Sequence, residues 1–133
     1  MPVFSVASSD KLKTCCEPLQ RLFNAVILER DCIVVCGFRD QVAQDAAFDK
    51  GFSKLRWPHG RHNRNPSMAV DVLPYPFKNE DWKDLELWAA FVEVVKNKAA
   101  ELGIPIICGY DWKSFQDVDH FELADPITAE KTV

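Results

Sequence analysis

Two short apolar runs, "IPIICGY" (104–110) and "HFEL" (120–123), follow one another near the end of the chain with no helical stretch between them. Both read as strands. Strands that close a chain as a neighbouring pair favour an α+β fold over a doubly wound sheet, in which parallel neighbours need a crossover helix. The stretch before them, residues 80–103, is the clearest helix. Leu85, Trp88, Val92, Val95, Ala99 and Leu102 fall on one apolar stripe, and Gly103 is the expected stop.

The upstream pattern fits the same class. Leu19, Leu22, Phe23, Val26 and Ile27 recur at helical spacing within residues 17–30, with Pro18 suited to a first turn. "CIVVCGF" (32–38) is an unbroken run rich in β-branched side chains and reads as a buried strand. Residues 40–51 read as a short helix stopped by Gly51. From Phe52 to Pro66 the chain is basic and aperiodic. "MAVDVL" (68–73) is the next strand, ended by "PYP" because proline cannot continue a ladder. On that strand Met68, Val70 and Val72 form the core side, opposite Asp71. The 133 residues carry no repeat or Gly/Ser linker, so the expectation is one domain over 1–133, with its core at about 12–123 and a short C-terminal tail.

Composition narrows the function. A net charge of −4 offers no basic face for phosphate backbones, which argues against nucleic acid. No apolar run approaches the roughly 18 residues of a membrane span, so no membrane insertion is expected. The start, "MPVFSVASSDKLK", lacks the basic-then-apolar order of a secretory signal, which predicts a protein kept in the cytosol until another protein releases it. Five cysteines without a signal argue against a disulfide framework. Cys32 and Cys36 lie four residues apart on one strand, roughly 13 Å, too far to share a tetrahedral ion. All five, Cys15, Cys16, Cys32, Cys36 and Cys108, read as buried small apolar residues.

The chemistry concentrates in two stretches, "HGRHNRNPSMAVDV" (59–72) and "DVDHFEL" (117–123), which hold all three histidines. A hydrolytic zinc site uses three protein ligands and an open position for water. His62 precedes a strand, Asp71 lies in it, and His120 begins the last strand; if those strands are neighbours in one sheet, all three can reach one ion. On residues alone each histidine also reads as a surface or core side chain. Asp117, three residues before His120, suits a base that takes a proton from water and passes it to a leaving amine. Asp119 competes for that role, and a solvated turn is the plain alternative. Arg39 follows the strand at 32–38 and suits an oxyanion or carboxylate clamp, or else is a surface cation.

These motifs, taken in register, resemble a known group. "GRHNRNPSMAVDV" carries a histidine, a short loop and Ala-x-Asp; "HN", "PS", "AVD" and "PYP" follow in order. "DVDHFEL" carries Asp-x-x-His before a strand, preceded by "DWKSFQD", and "GFRDQVAQ" carries Arg39 and Gln44. Together, from about Leu12 to Leu123, they resemble the zinc peptidases of the D-Ala-D-Ala carboxypeptidase group, and within it the L-alanyl-D-glutamate endopeptidases of the phage endolysin type. The resemblance implies a small Hedgehog/DD-peptidase-like α+β domain, with an antiparallel sheet flooring a zinc cleft and helices packed on it. It implies His62, Asp71 and His120 as zinc ligands, Asp117 as the catalytic base and Arg39 as an assisting cation. One position departs: the usual serine two residues before the first ligand is Gly60, which puts the order of that loop in question.

The activity implied is zinc-dependent hydrolysis of the L-alanyl-D-glutamate bond in peptidoglycan stem peptides. Two alternatives share the site: a D,D-carboxypeptidase or dipeptidase, and a catalytically silent zinc-binding recognition domain. The presence of Asp117 favours an enzyme. The further expectations are a monomer that stays in the host cytoplasm until a separate holin-type protein admits it to the wall. With no wall-binding segment, analogy points to a thin, accessible wall. His59 is expected to be a loop residue near the cleft mouth rather than a ligand. Trp57 and Trp112 flank the motifs as groove-lining or packing residues.

Overall fold

The computed structural model describes residues 2–124; apart from Ala124, the tail expected after Leu123 lies outside them. In chain order the elements are α1 (Val6–Leu12), α2 (Glu17–Glu29), β1 (Cys32–Cys36), α3 (Gln41–Asp49), β2 (Ala69–Pro74), α4 (Leu85–Leu102), β3 (Ile106–Cys108) and β4 (His120–Leu123), with 3-10 turns at Arg61–Asn63, Asn79–Lys83 and Gly109–Asp111. The strands form one sheet in the order β1-β2-β4-β3, and every neighbouring pair is antiparallel. The α+β reading stands, and the closing strands β3 and β4 do pair with each other.

The core lies on one face of this sheet. All five apolar residues of the α2 stripe are buried, and α4 contributes Trp88, Phe91, Val92, Val95 and Ala99. From the sheet come Val70, Val72, Phe121 and Leu123. Phe121 meets Phe23 edge-on at 5.4 Å and Phe91 at 6.1 Å between ring centroids. Such pairs add about 0.5–1.5 kcal/mol each beyond their area burial. Their consequence for the site is directional. With Phe121 locked into the core, its neighbours His120 and Glu122 must point to the opposite face. The same alternation holds on β2, where Val70 and Val72 face the core and Asp71 does not.

Three differences from the sequence pattern have local causes. Helix α1 carries no apolar stripe, since only Ser8 and Leu12 are buried; it starts where the Ser5 hydroxyl accepts from the Ser8 N–H at 3.1 Å. The long helix begins at Leu85 rather than residue 80, because Asp84 caps it by accepting from the Leu87 N–H at 3.1 Å. Leu85 is therefore exposed at the first turn, and Phe91 joins the buried stripe. Among the described residues no helix is long and apolar enough to cross a membrane.

Candidate active site

Register builds the centre of the site. Asp71 on β2 pairs directly with His120 on β4, and Cys36 on β1 faces Asp71 from the other side across a bulge after Val34. The Arg61–Asn63 turn just before β2 delivers His62 to the same point. The turn is anchored where the Arg39 N–H donates to the His62 carbonyl at 2.8 Å and the Met68 N–H to the Arg61 carbonyl at 3.2 Å. His62 Nε2 and His120 Nδ1 each lie 3.3 Å from Asp71 Oδ1, and the two imidazole centroids are 5.2 Å apart. The sequence-predicted ligands thus meet in one place.

Hydrogen bonding decides which ring nitrogens are bare. His62 Nδ1 lies 2.8 Å from the Gly37 carbonyl, which can only accept, so Nδ1 carries the proton and the neutral ring presents its Nε2 lone pair to Asp71. His120 Nε2 lies 2.8 Å from Glu122 Oε1 and donates there, leaving the Nδ1 lone pair toward Asp71. Two lone pairs and a carboxylate oxygen then converge with no proton between them. His62 Nε2 and Asp71 Oδ1 are both buried and take part in no hydrogen bond. With both rings neutral, such an arrangement suits a cation. The outward bonds to a backbone carbonyl and a carboxylate are those that orient metal-binding histidines. The ligand atoms of Asp71, Asp117 and His120 lie within 4.8 Å of one another, as do those of Cys36, His62 and Asp71. Each group holds one imidazole, and Asp71 belongs to both, so the carboxylate joins two sets of donors of the kind that hold a small divalent ion, on the floor of the cleft.

Without an ion, protons meet the same demand. Burial opposes charge on His62, but the Asp71 carboxylate overrides it and holds the imidazole up at about 10. His120 is also raised, against burial, by its bonds to Asp71 and Glu122. Asp71 is held well below the usual carboxylate range by the two imidazoles, although burial alone would raise it.

Asp117 lies beside this centre, with Oδ2 3.9 Å from His120 Nδ1. Its place depends on Gly109. A Cβ there would come within 2.3 Å of the Asp117 carbonyl, and the Asp117 N–H donates to the Gly109 carbonyl at 3.0 Å. Burial and then Asp71 raise the Asp117 pKa, and burial, Asp71 and Asp117 push Asp119 up to about 9. The competing pair is thus a coupled carboxyl couple, in which Asp119 favours the proton and Asp117 is the neighbour within reach of His120.

Arg39 sits at the end of β1, as expected, but its guanidinium is engaged. Nη2 lies 3.5 Å from Asp71 Oδ2, and Nη1 donates to Gln44 Oε1 at 3.0 Å. Gln44 is 1 % exposed and joins several strands of the network: it accepts from Asn63 Nδ2 at 3.0 Å and donates to Ser53 Oγ at 2.9 Å and to the Leu55 carbonyl. Gly60, in the serine position, is accounted for here. Its N–H donates to Asn63 Oδ1 at 2.8 Å, and a Cβ would come within 2.8 Å of that oxygen. Asn63 and Gln44 order the loop in the serine's absence.

Sequence reasoning missed two participants. Glu122 bonds His120 and lies 3.4 Å from Arg61 Nε, while Arg61 Nη2 donates to the Leu123 carbonyl. The signal was the i, i+2 spacing from His120, which puts both on one face of a strand. The second is Cys36, and it corrects the view that all five cysteines are buried filler. Four are buried, but Cys36 is half-buried, with Sγ 3.9 Å from His62 Nδ1 and 3.7 Å from Arg39 Nη2. Burial alone would raise its thiol pKa; the contact with His62 turns the net shift downward. His59 is exposed and outside both groups of converging ligand atoms. Trp112 lines the cleft and covers His120 at 5.1 Å, whereas Trp57 packs edge-on against Phe38.

The cleft over these residues holds about 900 Å³ and is rimmed by Phe52, Leu55, Trp82, Trp112 and Phe115. It has room for an extended peptide and catalytic groups on its floor.

The family described as phage L-alanyl-D-glutamate peptidase matches the chain over residues 2–126. Among solved structures, the crystal structure of the Serratia marcescens L-Ala D-Glu endopeptidase ChiX superposes with a TM-score of 0.76 at 25% identity. The match covers 94% of this chain and 92% of that one.

Proposed function

The chain belongs to the phage L-alanyl-D-glutamate peptidase family, and from that premise we propose how it hydrolyses peptidoglycan stem peptides at the L-Ala-D-Glu bond. His62 Nε2, Asp71 Oδ1 and His120 Nδ1 hold a zinc ion, and Asp117 is the catalytic base. The observation that carries this reading is the convergence of two bare imidazole nitrogens on one buried carboxylate oxygen at 3.3 Å. Two nitrogens and one oxygen suit zinc, with a fourth position left for chemistry.

When bound, zinc supplies Lewis acidity, which polarises the scissile carbonyl and brings the ionisation of water near neutral pH. Asp117 takes the proton of the attacking water and returns it to the departing D-Glu amine. Its partner Asp119 is raised in pKa by burial and by Asp71, and the two carboxyls titrate as a coupled pair beside the cleft. Arg39 keeps positive charge at the cleft floor, where the carbonyl oxygen becomes an oxyanion. Trp112 shields the His120 face from bulk water, which strengthens these interactions.

The whole site comes from one chain, which supports action as a monomer. Membership of a phage peptidase family supports a lysis role, in which the protein waits in the host cytoplasm and reaches the wall through a separate membrane-permeabilising protein. The test is mass spectrometry of purified peptidoglycan after digestion, with and without a zinc chelator. New amino-terminal D-glutamate, lost with chelator and restored by zinc, is expected. Cleavage that survives complete metal removal would overturn the zinc mechanism, and released D-alanine would overturn the bond assignment.

A further inference from the structure

Three lysine or arginine side chains line the cleft among the described residues: Arg39, Lys54 and Arg61. Two are committed to carboxylates of the protein itself. Arg39 lies 3.5 Å from Asp71 and Arg61 3.4 Å from Glu122, each pair largely shielded from solvent. Lys54 differs. Its Nζ donates to Ser114 Oγ at 3.1 Å and lies 5.1 Å from the centroid of the Phe115 ring, so its partners are a neutral hydroxyl and an aromatic face. Its charge is unneutralised within a cleft whose rim includes Phe52, Leu55 and Phe115.

This placement is built rather than incidental. The contact spans 60 residues of sequence and joins the segment after α3 to the segment before Asp117. Phe115 adopts φ 54°, a left-handed conformation that an aromatic residue rarely takes. Backbone held in this region clusters at ligand clamps, where surrounding structure over-determines it. Here the result is an ammonium group and a hydroxyl side by side on the cleft wall. Together they match one carboxylate: a charge-assisted bond from the lysine and a second from the serine.

In an L-Ala-D-Glu linkage the residue on the leaving side retains a free carboxylate in addition to the carboxyl that continues the stem. We propose that Lys54, with Ser114 beside it, binds this D-glutamate carboxylate and makes the enzyme selective for the free acid over the amidated form. The inference rests on the endopeptidase reading above. A role for Lys54 as a mere clasp between two loops makes a different prediction, because loosening the clasp affects every substrate alike.

The experiment pairs enzyme variants with substrates. Zinc-loaded wild type, Lys54→Gln and Lys54→Arg are each given two synthetic stem peptides, identical except that the D-glutamate carboxylate is free in one and a carboxamide in the other. Wild type is expected to favour the free acid about tenfold in kcat/KM, the loss typical of a bond to a charged partner, mainly through KM. That ratio should fall toward one in Lys54→Gln and be largely restored in Lys54→Arg. Equal use of both peptides by wild type, or an undiminished preference in Lys54→Gln, overturns the assignment. A uniform loss on both peptides in Lys54→Gln also overturns it, in favour of the clasp. Failure of wild type to cut either peptide at L-Ala-D-Glu overturns the endopeptidase reading itself, and this assignment with it.

Discussion

His120 Nε2 donates to Glu122 Oε1 at 2.8 Å, and that bond determines which nitrogen of the ring faces Asp71. Glu122 stands outside the converging donor groups, yet it sets the tautomer of His120, one of the proposed ligands. Replacing Glu122 with Ala should weaken zinc binding by roughly 10- to 100-fold, the range found for partners of metal-binding histidines. Glu122→Gln keeps an acceptor without the charge and should fall between. Competition with a chromophoric chelator reads both, and unchanged affinity in Glu122→Ala would remove it from this role.

Asp117 should be separable from metal binding. Asp117→Asn is expected to retain zinc, measured by elemental analysis of the purified protein, while kcat falls by about 10²- to 10⁴-fold. A normal rate would move the base elsewhere, with Asp119 the first candidate.

Gly109→Ala tests the same group from a distance. The added methyl meets the Asp117 carbonyl at 2.3 Å, so the backbone carrying the base must shift. Activity should drop well over tenfold, since small misplacements of reacting groups are costly, with zinc content unchanged.

The metal-free protein should lose stability as pH rises. His62 is raised from an ordinary 6.5 to about 10 in the fold. The stabilisation it contributes is complete below pH 6.5 and is lost as pH climbs through 10. Asp119, raised from 3.8 to about 9, acts in the same direction over its own interval. Thermal melts of chelated protein should therefore show Tm falling from neutral to alkaline pH. Zinc-loaded protein should show a much shallower fall, because the ion replaces the His62 proton.

Gln44→Leu should destabilise the fold. Arg39 Nη1 and Asn63 Nδ2 would both lose their acceptor, and each buried group left unpaired costs about 1–3 kcal/mol. Urea denaturation reads this directly, and a change below 0.5 kcal/mol, the usual range for a surface substitution, would mean that the network reorganises freely.

Much of this protein was legible in its sequence because the controlling signals are local. The helical stripe of α2, the alternation Val70-Asp71-Val72 and the Asp117-to-His120 spacing depend only on backbone periodicity. Those patterns pointed to the fold class and the core faces, while the candidate metal residues were legible through the resemblance of their motifs to the zinc peptidase group. The tertiary structure alone decided the rest. The pairing of β2 with β4 put Asp71 opposite His120, and the bulge in β1 turned Cys36 toward His62. The Gly37 carbonyl and Glu122 chose the histidine tautomers, and the strained turn at Phe115 set Lys54 on the cleft wall. Each of these joins segments far apart in the chain or depends on the direction of a single hydrogen bond, and periodicity carries neither.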